Sequence, residues 1–492
     1  MNCFKNHILL LQLICICNIC LSQQVKFRNV LGNVGYDYGM FAQQTFDKGY
    51  IVCGSTTSVG NGNTDAYIIK TDSLGKPAKE RSIGSSNVDR GTCIKQTADS
   101  GYVLLGYTNT PGGPGGYDIF VVKMDADLNT EWEKKYGGSD WDFGNCIEQT
   151  SDGGYIICGG TYSYGKGDED YYIIKTDSNG DTLWTKTYGS NEREEAKSII
   201  QTKDGGYAVT GYSMATDSLG DFYTIKLNTS GDTLWTHTFG GPLLDLSNDI
   251  IELHNGGYAL AGETKSFGSG KSDGILVEVS SAGITGRTFL VGGTENDNLQ
   301  SLTERADDKI MFTGVTYSYG YTNGKGDLYF GMLNSNWSFN MSTTFGSAGS
   351  ESVNSIAATA DKGAILCGST NGFRNFLDDI YLIKTDSTGF STTSETVLVT
   401  RINEENKLNA PLFIVYPNPV QENAYIQFSG SSRSVKIEVI DIMGRVLELN
   451  TIPSSLSSSI LINMKNMVDG IYFIRITADD TAFSKKIIVK HE

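Results

Sequence analysis

The chain has 492 residues and a formal charge of −17, with 19% of its residues charged. That length exceeds what one hydrophobic core usually organises, so two or more units are expected. The acidic balance argues against a nucleic-acid or anionic-membrane partner, both of which need basic patches, and no apolar run beyond residue 25 is long enough to cross a membrane.

The first 22 residues read as an address. Lys5 and His7 precede an apolar run from Ile8 to Ile19, and Cys20 and Ser22 are the small residues a signal peptidase reads when it cuts between Ser22 and Gln23. Cys20 fits an acylated lipoprotein cysteine less well, because Ile19 stands where a small residue is wanted. Of the nine cysteines, Cys3, Cys15, Cys17 and Cys20 leave with this segment. Cys53, Cys158 and Cys367 then share one repeat position and Cys93 and Cys146 another, as small buried apolar residues would. Cys146 and Cys158 fall on neighbouring strands, where an oxidising compartment permits a disulfide. No CxxC or zinc-spaced Cys/His cluster occurs, and the histidines (His7, His237, His254, His491) are scattered.

Residues 23–389 repeat one phrase: "FDKGYIVCG", "ADSGYVLLG", "SDGGYIICG", "KDGGYAVTG", "HNGGYALAG", "ADDKIMFTG" and "ADKGAILCG". Its anchor residue is Asp47, Asp99, Asp152, Asp204, Asn255, Asp307 or Asp361, at intervals of 52, 53, 52, 51, 52 and 54 residues. Such a period belongs to solenoids, propellers or arrays. Each unit holds four runs of strand-forming residues bounded by turn formers, and none shows a helical period. Runs such as "YIIC" and "YYII" are apolar at consecutive positions, so both faces are buried. Four-stranded sheets covered on both faces and repeated radially are the blades of a β-propeller, and seven copies predict seven blades. One fourth-type strand, "KFRNVLG" at 26–32, precedes the first full set, while the last set, ending near "IYLIKTD", lacks one. The N-terminal strand is therefore expected to complete blade 7 and close the ring.

Two acids recur in every unit. One, five residues after a repeated glycine, is Asp37, Asp89, Asp142, Glu194, Asp245, Asp297 or Glu351; the other opens the third strand at Asp65, Asp118, Asp170, Asp221, Asp273, Asp327 or Asp379. Rings of carboxylates around a channel mouth offer Ca2+ a site, or a glycan an acid and a base. Seven-fold repetition favours instead a structural role, with carboxylates satisfying backbone N–H groups at a recurrent turn. No other cofactor is called for. "TDSNGDTLWTKTYG" is similar to the repeats of quinoprotein-type propellers, but Trp fills that position only at Trp132, Trp184 and Trp235, so it reads as a packing residue between blades.

Variation marks the loops between second and third strands, on the same face as the first acid ring. Trp141, Asp142, Tyr162, Tyr164, Tyr317, Tyr319 and Tyr321 there set flat rings among acids and amides, a surface suited to a glycan or protein ligand. No Ser/His/Asp constellation, HExxH or phosphate loop is visible. A binding or adhesion module is thus the expected function, with a glycan-active, endoglucanase-like hydrolase or a structural surface component as alternatives.

Residues 390–411 are polar and aperiodic, as a linker is. Residues 412–492 then change character, and the alternation in "VKIEVID" and "YFIRIT" predicts half-exposed strands of a small antiparallel, Ig-like sandwich. Tyr416-Pro417-Asn418-Pro419, Asp441 to Val446 with Gly444, Asp469-Gly470-Ile471-Tyr472 and Lys485-Lys486 followed by "IIV" come in the order of a known family. This segment resembles the type A C-terminal sorting domain of the bacterial type IX secretion system. The resemblance implies that the secretion machinery is a partner and that the protein is secreted or displayed on the outer surface of a Gram-negative bacterium.

Overall fold

The computed structural model describes residues 24–491 apart from 34, 61, 110–115, 216–218, 322–323, 374–376, 400–411, 417–419, 430–433, 442–444, 454–459 and 479–480. The signal segment with Ser22 and Gln23, and Pro417, Asn418, Pro419 and Gly444 of the sorting motif, lie outside the described residues. The chain divides into a unit ending at Arg401 and a second from Ile402 to Glu492.

The first unit is a seven-bladed β-propeller. Six blades are four-stranded antiparallel sheets in chain order; blade 1, for example, is Asp37–Gln44, Tyr50–Thr56, Asp65–Thr71 and Pro77–Ile83. Blade 7 joins Glu351–Ala358, Ala364–Thr370 and Asp379–Lys384 to the N-terminal strand Phe27–Gly32, which pairs antiparallel with the third of them, from Phe27 opposite Lys384 to Leu31 opposite Ile380. The ring closes as the phase of the repeats predicts. One strand was not foreseen: Thr396–Val399, within the stretch read as linker, pairs parallel with Phe27–Gly32 and adds a fifth strand to that blade.

Second and third strands are almost wholly buried, as consecutive apolar residues require. Fourth strands such as Thr130–Tyr136 alternate between exposed and half-buried residues because only their inner face meets a neighbouring blade. Each first strand carries a bulge after its third residue, between Gly39 and Phe41 in blade 1 and between Gly144 and Cys146 in blade 3. The extra residue reaches the next blade around the channel: Asn145 Nδ2 donates to the Ala196 carbonyl at 2.8 Å, Asn248 Nδ2 to Leu299 at 2.8 Å and Asn354 Nδ2 to Gly39 at 2.7 Å.

The repeated phrase is a turn wrapped around a buried cation. In blade 3, Lys175 comes from the third strand with its side chain 4% exposed, and its ammonium reaches Asp152 Oδ2 at 2.9 Å and the Thr176 carbonyl at 2.9 Å. Asp152 also accepts from the Thr150 hydroxyl and the Gly154 N–H. Lys70, Lys123, Lys226 and Lys384 repeat this with Asp47, Asp99, Asp204 and Asp361. Where the lysine is missing, its partners change with it. Blade 5 has Leu253, Asn255 and Glu278, the last held by Arg287 at 2.7 Å. Blade 6 has Met332, and Arg305 stands in the threonine position, bidentate on Asp307 at 2.8 and 2.7 Å.

Cys53, Cys93, Cys146, Cys158 and Cys367 are all free thiols; Cys146 and Cys158 sit opposite one another in register without forming a disulfide. The second unit is a sandwich of a three-stranded sheet (Leu412–Tyr416, Asn423–Ser429, Ile460–Asn463) and a four-stranded one containing Ser434–Asp441, Val446–Pro453, Gly470–Ala478 and Thr481–Val489. Ile426, Ile437, Ile462, Ile474 and Ile487 fill its core.

Two outcomes follow from the anchors. Asp152→Ala strands the buried Lys175 ammonium and is expected to lower unfolding stability by about 2 kcal/mol, whereas Lys175→Met, the residue blade 6 uses, costs less; urea unfolding of both variants checks this. Burial pushes the carboxyls of Asp47, Asp99, Asp152 and Asp204 up, but the lysine, threonine and glycine donors outweigh it and hold them at about 2. Their contribution is therefore fully present above the ordinary aspartate value and is lost as pH falls from about 4 toward 2, which an acid titration followed by near-UV circular dichroism reads.

Candidate functional site

The first-ring acids open the first strands, and all seven are buried. Asp37 accepts from the Asn33 N–H at 2.7 Å, the Thr56 hydroxyl at 2.5 Å and the Ser58 hydroxyl at 2.9 Å. Asp142, Glu194, Asp297 and Glu351 repeat the pattern with Gly138, Ser190, Gly293 and Ser347 as N–H donors, and Asp89 and Asp245 with Ser85 and Gly241. Each carboxylate thus caps the start of its strand, although Oδ1 of Asp142 and of Asp245 is buried without a hydrogen-bond partner. The second ring meets the first across the repeated glycine: a Cβ on Gly189 would stand 1.9 Å from Asp170 Oδ1 and 2.5 Å from Glu194 Oε2. Burial, with Glu351 alongside, raises the Asp327 carboxyl to about 6.

Trp141 and Tyr162, singled out in the sequence, come together with ring centroids 6.2 Å apart. Trp141 also joins Tyr117 at 5.9 Å and Phe143 at 6.2 Å, and both of these pack on Tyr107 at 5.5 and 5.1 Å. Only a glycine at 116 lets the Trp141 ring lie where it does, since a Cβ there would fall 1.9 Å from it. Tyr164 and Tyr319 stand apart from this group: their hydroxyls donate to the Gly137 and Gly292 carbonyls, just after the fourth strand of the preceding blade, at 2.8 and 2.6 Å, and their rings pack on Tyr172 and Tyr329. Tyr317 and Tyr319 belong to blade 6 and do not join the Trp141 group.

The sequence reading missed the polar half of the site. Beside Tyr162, whose hydroxyl donates to Glu169 Oε2 at 3.1 Å, Arg193 Nε donates to the same oxygen at 2.6 Å. The Arg193 Nη2 lies 3.6 Å from Glu195 Oε2, and Glu195 is held further by Lys197 Nζ at 2.5 Å, the Tyr212 hydroxyl at 3.1 Å and Asn145 Nδ2 at 3.1 Å. Burial, then the neighbouring Glu195, raises the Glu169 carboxyl; burial also pushes on Glu195, but Lys197 and the Asn145 and Tyr212 donors bring it below the ordinary range. The clue was available. After the first-ring acid the seven repeats read Tyr38, Arg90, Phe143, Glu195, Leu246, Asn298 and Ser352, so the large, charged or aromatic residues fall on blades 1–4.

Tyr38, Arg90 and Tyr107 line a cavity of about 230 Å³ with Ser352, Asn354 and Ser369 of blade 7. Tyr107 belongs both to this cavity and to the aromatic group. Cavity, rings and acid network therefore form one continuous arc at the end of the propeller where the first strands begin.

The second unit carries the other functional sequence. Tyr416 ends its strand opposite Tyr425, Gly470 opens the strand Gly470–Ala478, and Lys485 and Lys486 pair with Ile474 and Phe473. Arg445 closes the hairpin on Asp441 at 2.7 Å. Residues 414–490 match the family described as the secretion system C-terminal sorting domain. The chain carries a type IX sorting domain. Such domains mark proteins of Bacteroidetes that type IX secretion releases or attaches to the cell surface, and that is the destination of this protein.

No curated protein matches the chain. Among solved structures, the Neurospora crassa Pan2 WD40 domain is 12% identical over 68% of this chain and 85% of its own, with a TM-score of 0.39. YCF48 bound to D1 peptide is 9% identical over 76% and 98%, with a TM-score of 0.43. A protein of unknown function from Bacteroides caccae is 14% identical over 58% and 90%, with a TM-score of 0.37.

Replacing Arg193 by Met removes a donor from the buried Glu169 and a neighbouring charge from Glu195. The expected loss is about 1–3 kcal/mol of stability at neutral pH and less in mild acid, where Glu169 takes a proton; thermal unfolding at two pH values measures it.

Proposed function

We propose that the propeller is a binding and adhesion module that takes a glycan or protein ligand on the arc of blades 1–4. One observation carries this reading: the seven-fold repetition breaks there into a continuous surface of aromatic rings, a guanidinium and held carboxylates. Trp141, 48% exposed, offers a flat apolar face, and the polar groups beside it offer hydrogen bonds to hydroxyls or amides. These side chains rise from strand ends and short connections of a closed ring, so little ordering is left for a ligand to impose.

A second reading, a glycan-active hydrolase, draws support from Glu169 and Glu195. Two carboxylates whose environments push their protonation apart are the arrangement acid–base chemistry uses. Against it, the Glu169 side chain is 1% exposed and is occupied by Arg193 and Tyr162.

Glycan and peptide arrays probed with the purified protein, followed by product analysis on whatever is retained, separate these readings. Retention without cleavage, weakened about tenfold or more by Trp141→Ala with unfolding unchanged, is the expected result. Cleavage abolished by Glu169→Gln would establish the hydrolase, and the absence of any retained ligand would leave a structural surface role.

A further inference from the structure

The anchor loses its lysine at the junction of blades 5 and 6, at the end of the propeller opposite the arc, and a different set of residues gathers there. His254 stands where the other repeats have Phe46, Ala98, Ser151, Lys203, Ala306 and Ala360. Asp308 stands where they have Lys48, Ser100, Gly153, Gly205, Gly256 and Lys362, and Glu304 where blades 1–4 have glutamine and blade 5 has Glu252. The glutamines accept the backbone N–H of the preceding blade's turn, as Gln149 does from Ala98 at 2.9 Å, and Glu304 does the same for His254 at 2.7 Å. The fold thus needs an oxygen at this place and not a charge, and it asks for neither an imidazole nor a carboxylate at the other two positions.

We propose that His254, Glu304 and Asp308 bind a divalent transition-metal ion of the Zn2+ class. Nδ1 of His254 lies 2.7 Å from Asp308 Oδ1 and 3.3 Å from Glu304 Oε2, and all three atoms lie within 4.8 Å of one another. Ligands about 2.0–2.2 Å from one ion stand roughly 3.0–3.5 Å apart at octahedral or tetrahedral angles, so modest side-chain movement seats the ion. One imidazole nitrogen with two carboxylates selects Zn2+, Co2+ or Mn2+ over Ca2+ and Mg2+, which favour all-oxygen sets. Binding releases any proton held on Nδ1, and the two carboxylates balance the ion's charge.

A second feature points to a ligand at this place. The three residues line a cavity of about 320 Å³ with Leu253, Asn255, Ile310, Ser335 and Trp337, so the remaining coordination positions face open space walled by an indole. The ion would tie blade 5 to blade 6 where the lysine anchor is absent, and leave a position for a ligand from solution.

The test is a Zn2+ titration of the chelator-treated full-length protein by calorimetry, with Co2+ substitution read by visible absorption. The expected result is one ion per chain at micromolar affinity or better, a Co2+ spectrum showing nitrogen ligation, and a higher thermal midpoint in Zn2+. His254→Ala, Glu304→Gln and Asp308→Gly each install a residue the repeat already carries at that place, so the fold is retained. Each should weaken binding more than tenfold, while His491→Ala, which removes a second His/Asp pair among the described residues, His491 with Asp469, should not. Undetectable binding, or binding that survives His254→Ala or vanishes with His491→Ala, overturns the proposal.

Discussion

The propeller depends on burying both faces of two strands in every blade. Once second and third strands such as Tyr155–Thr161 and Asp170–Thr176 are inside on both sides, water cannot satisfy the polar groups where those strands begin and end. Each end must supply its own partners. At one end carboxylates do so, opening the first and third strands and gathering turn N–H groups and hydroxyls. At the other, a buried lysine gathers an aspartate and a carbonyl, and the aspartate in turn orders a threonine and a glycine N–H. The repeated phrase of the sequence is the written form of this second device, and the repeated glycine is the space the first one needs.

Departures from the repeat then separate into two kinds. Some preserve the balance of a blade by changing several residues together. Arg305 in a threonine position supplies the cation that Met332 removed, and in blade 5 Asn255 and Glu278, the latter held by Arg287, stand where Asp and Lys do elsewhere. Others have no such explanation inside the blade. Trp141, Arg193 and Glu195 occupy positions where blades 5–7 place leucine, asparagine or serine, and Glu169 one where other blades place glycine, serine, threonine, tyrosine or aspartate, and the ring closes there too. Residues of this second kind are the ones chosen for something other than folding.

Most of the architecture was legible because it is repetitive. The phase of seven copies foretold that Phe27–Gly32 would complete blade 7, and alternation in "VKIEVID" foretold the second unit's sandwich. Thr396–Val399 was not legible, since four residues pairing with a strand at the other end of the propeller sequence, Asn29 opposite Thr396, leave no local period. The acids were found as rings, but only geometry showed them facing donors at buried strand starts. Of the candidate site, the sequence yielded its aromatic members one at a time and included Tyr164, Tyr317 and Tyr319, which three dimensions assign elsewhere. Exposed tyrosines look alike in a sequence, and the carbonyls that hold Tyr164 and Tyr319 come from another strand. The polar half was missed because Glu169 lies in one blade and Arg193 and Glu195 at the start of the next blade's first strand, at positions whose residue changes from blade to blade.

The state of that polar half favours recognition over chemistry. A catalytic carboxylate must give up or take a proton while touching its substrate, which requires exposure and at least one free lone pair. Glu195 instead spends its oxygens on an ammonium, a phenol and an amide, and Glu169 lies buried with one oxygen shared between Arg193 and the Tyr162 phenol. Such a network sets the position of Arg193, Tyr162 and, through ring contact, Trp141. Its charges are close to balanced, so the cost of burying them is met by the structure before any ligand arrives. Rigid, mutually supported side chains around a flat exposed ring are what a receptor surface needs, and the sorting domain, which marks proteins released from the cell or attached to its surface, carries them outside the cell.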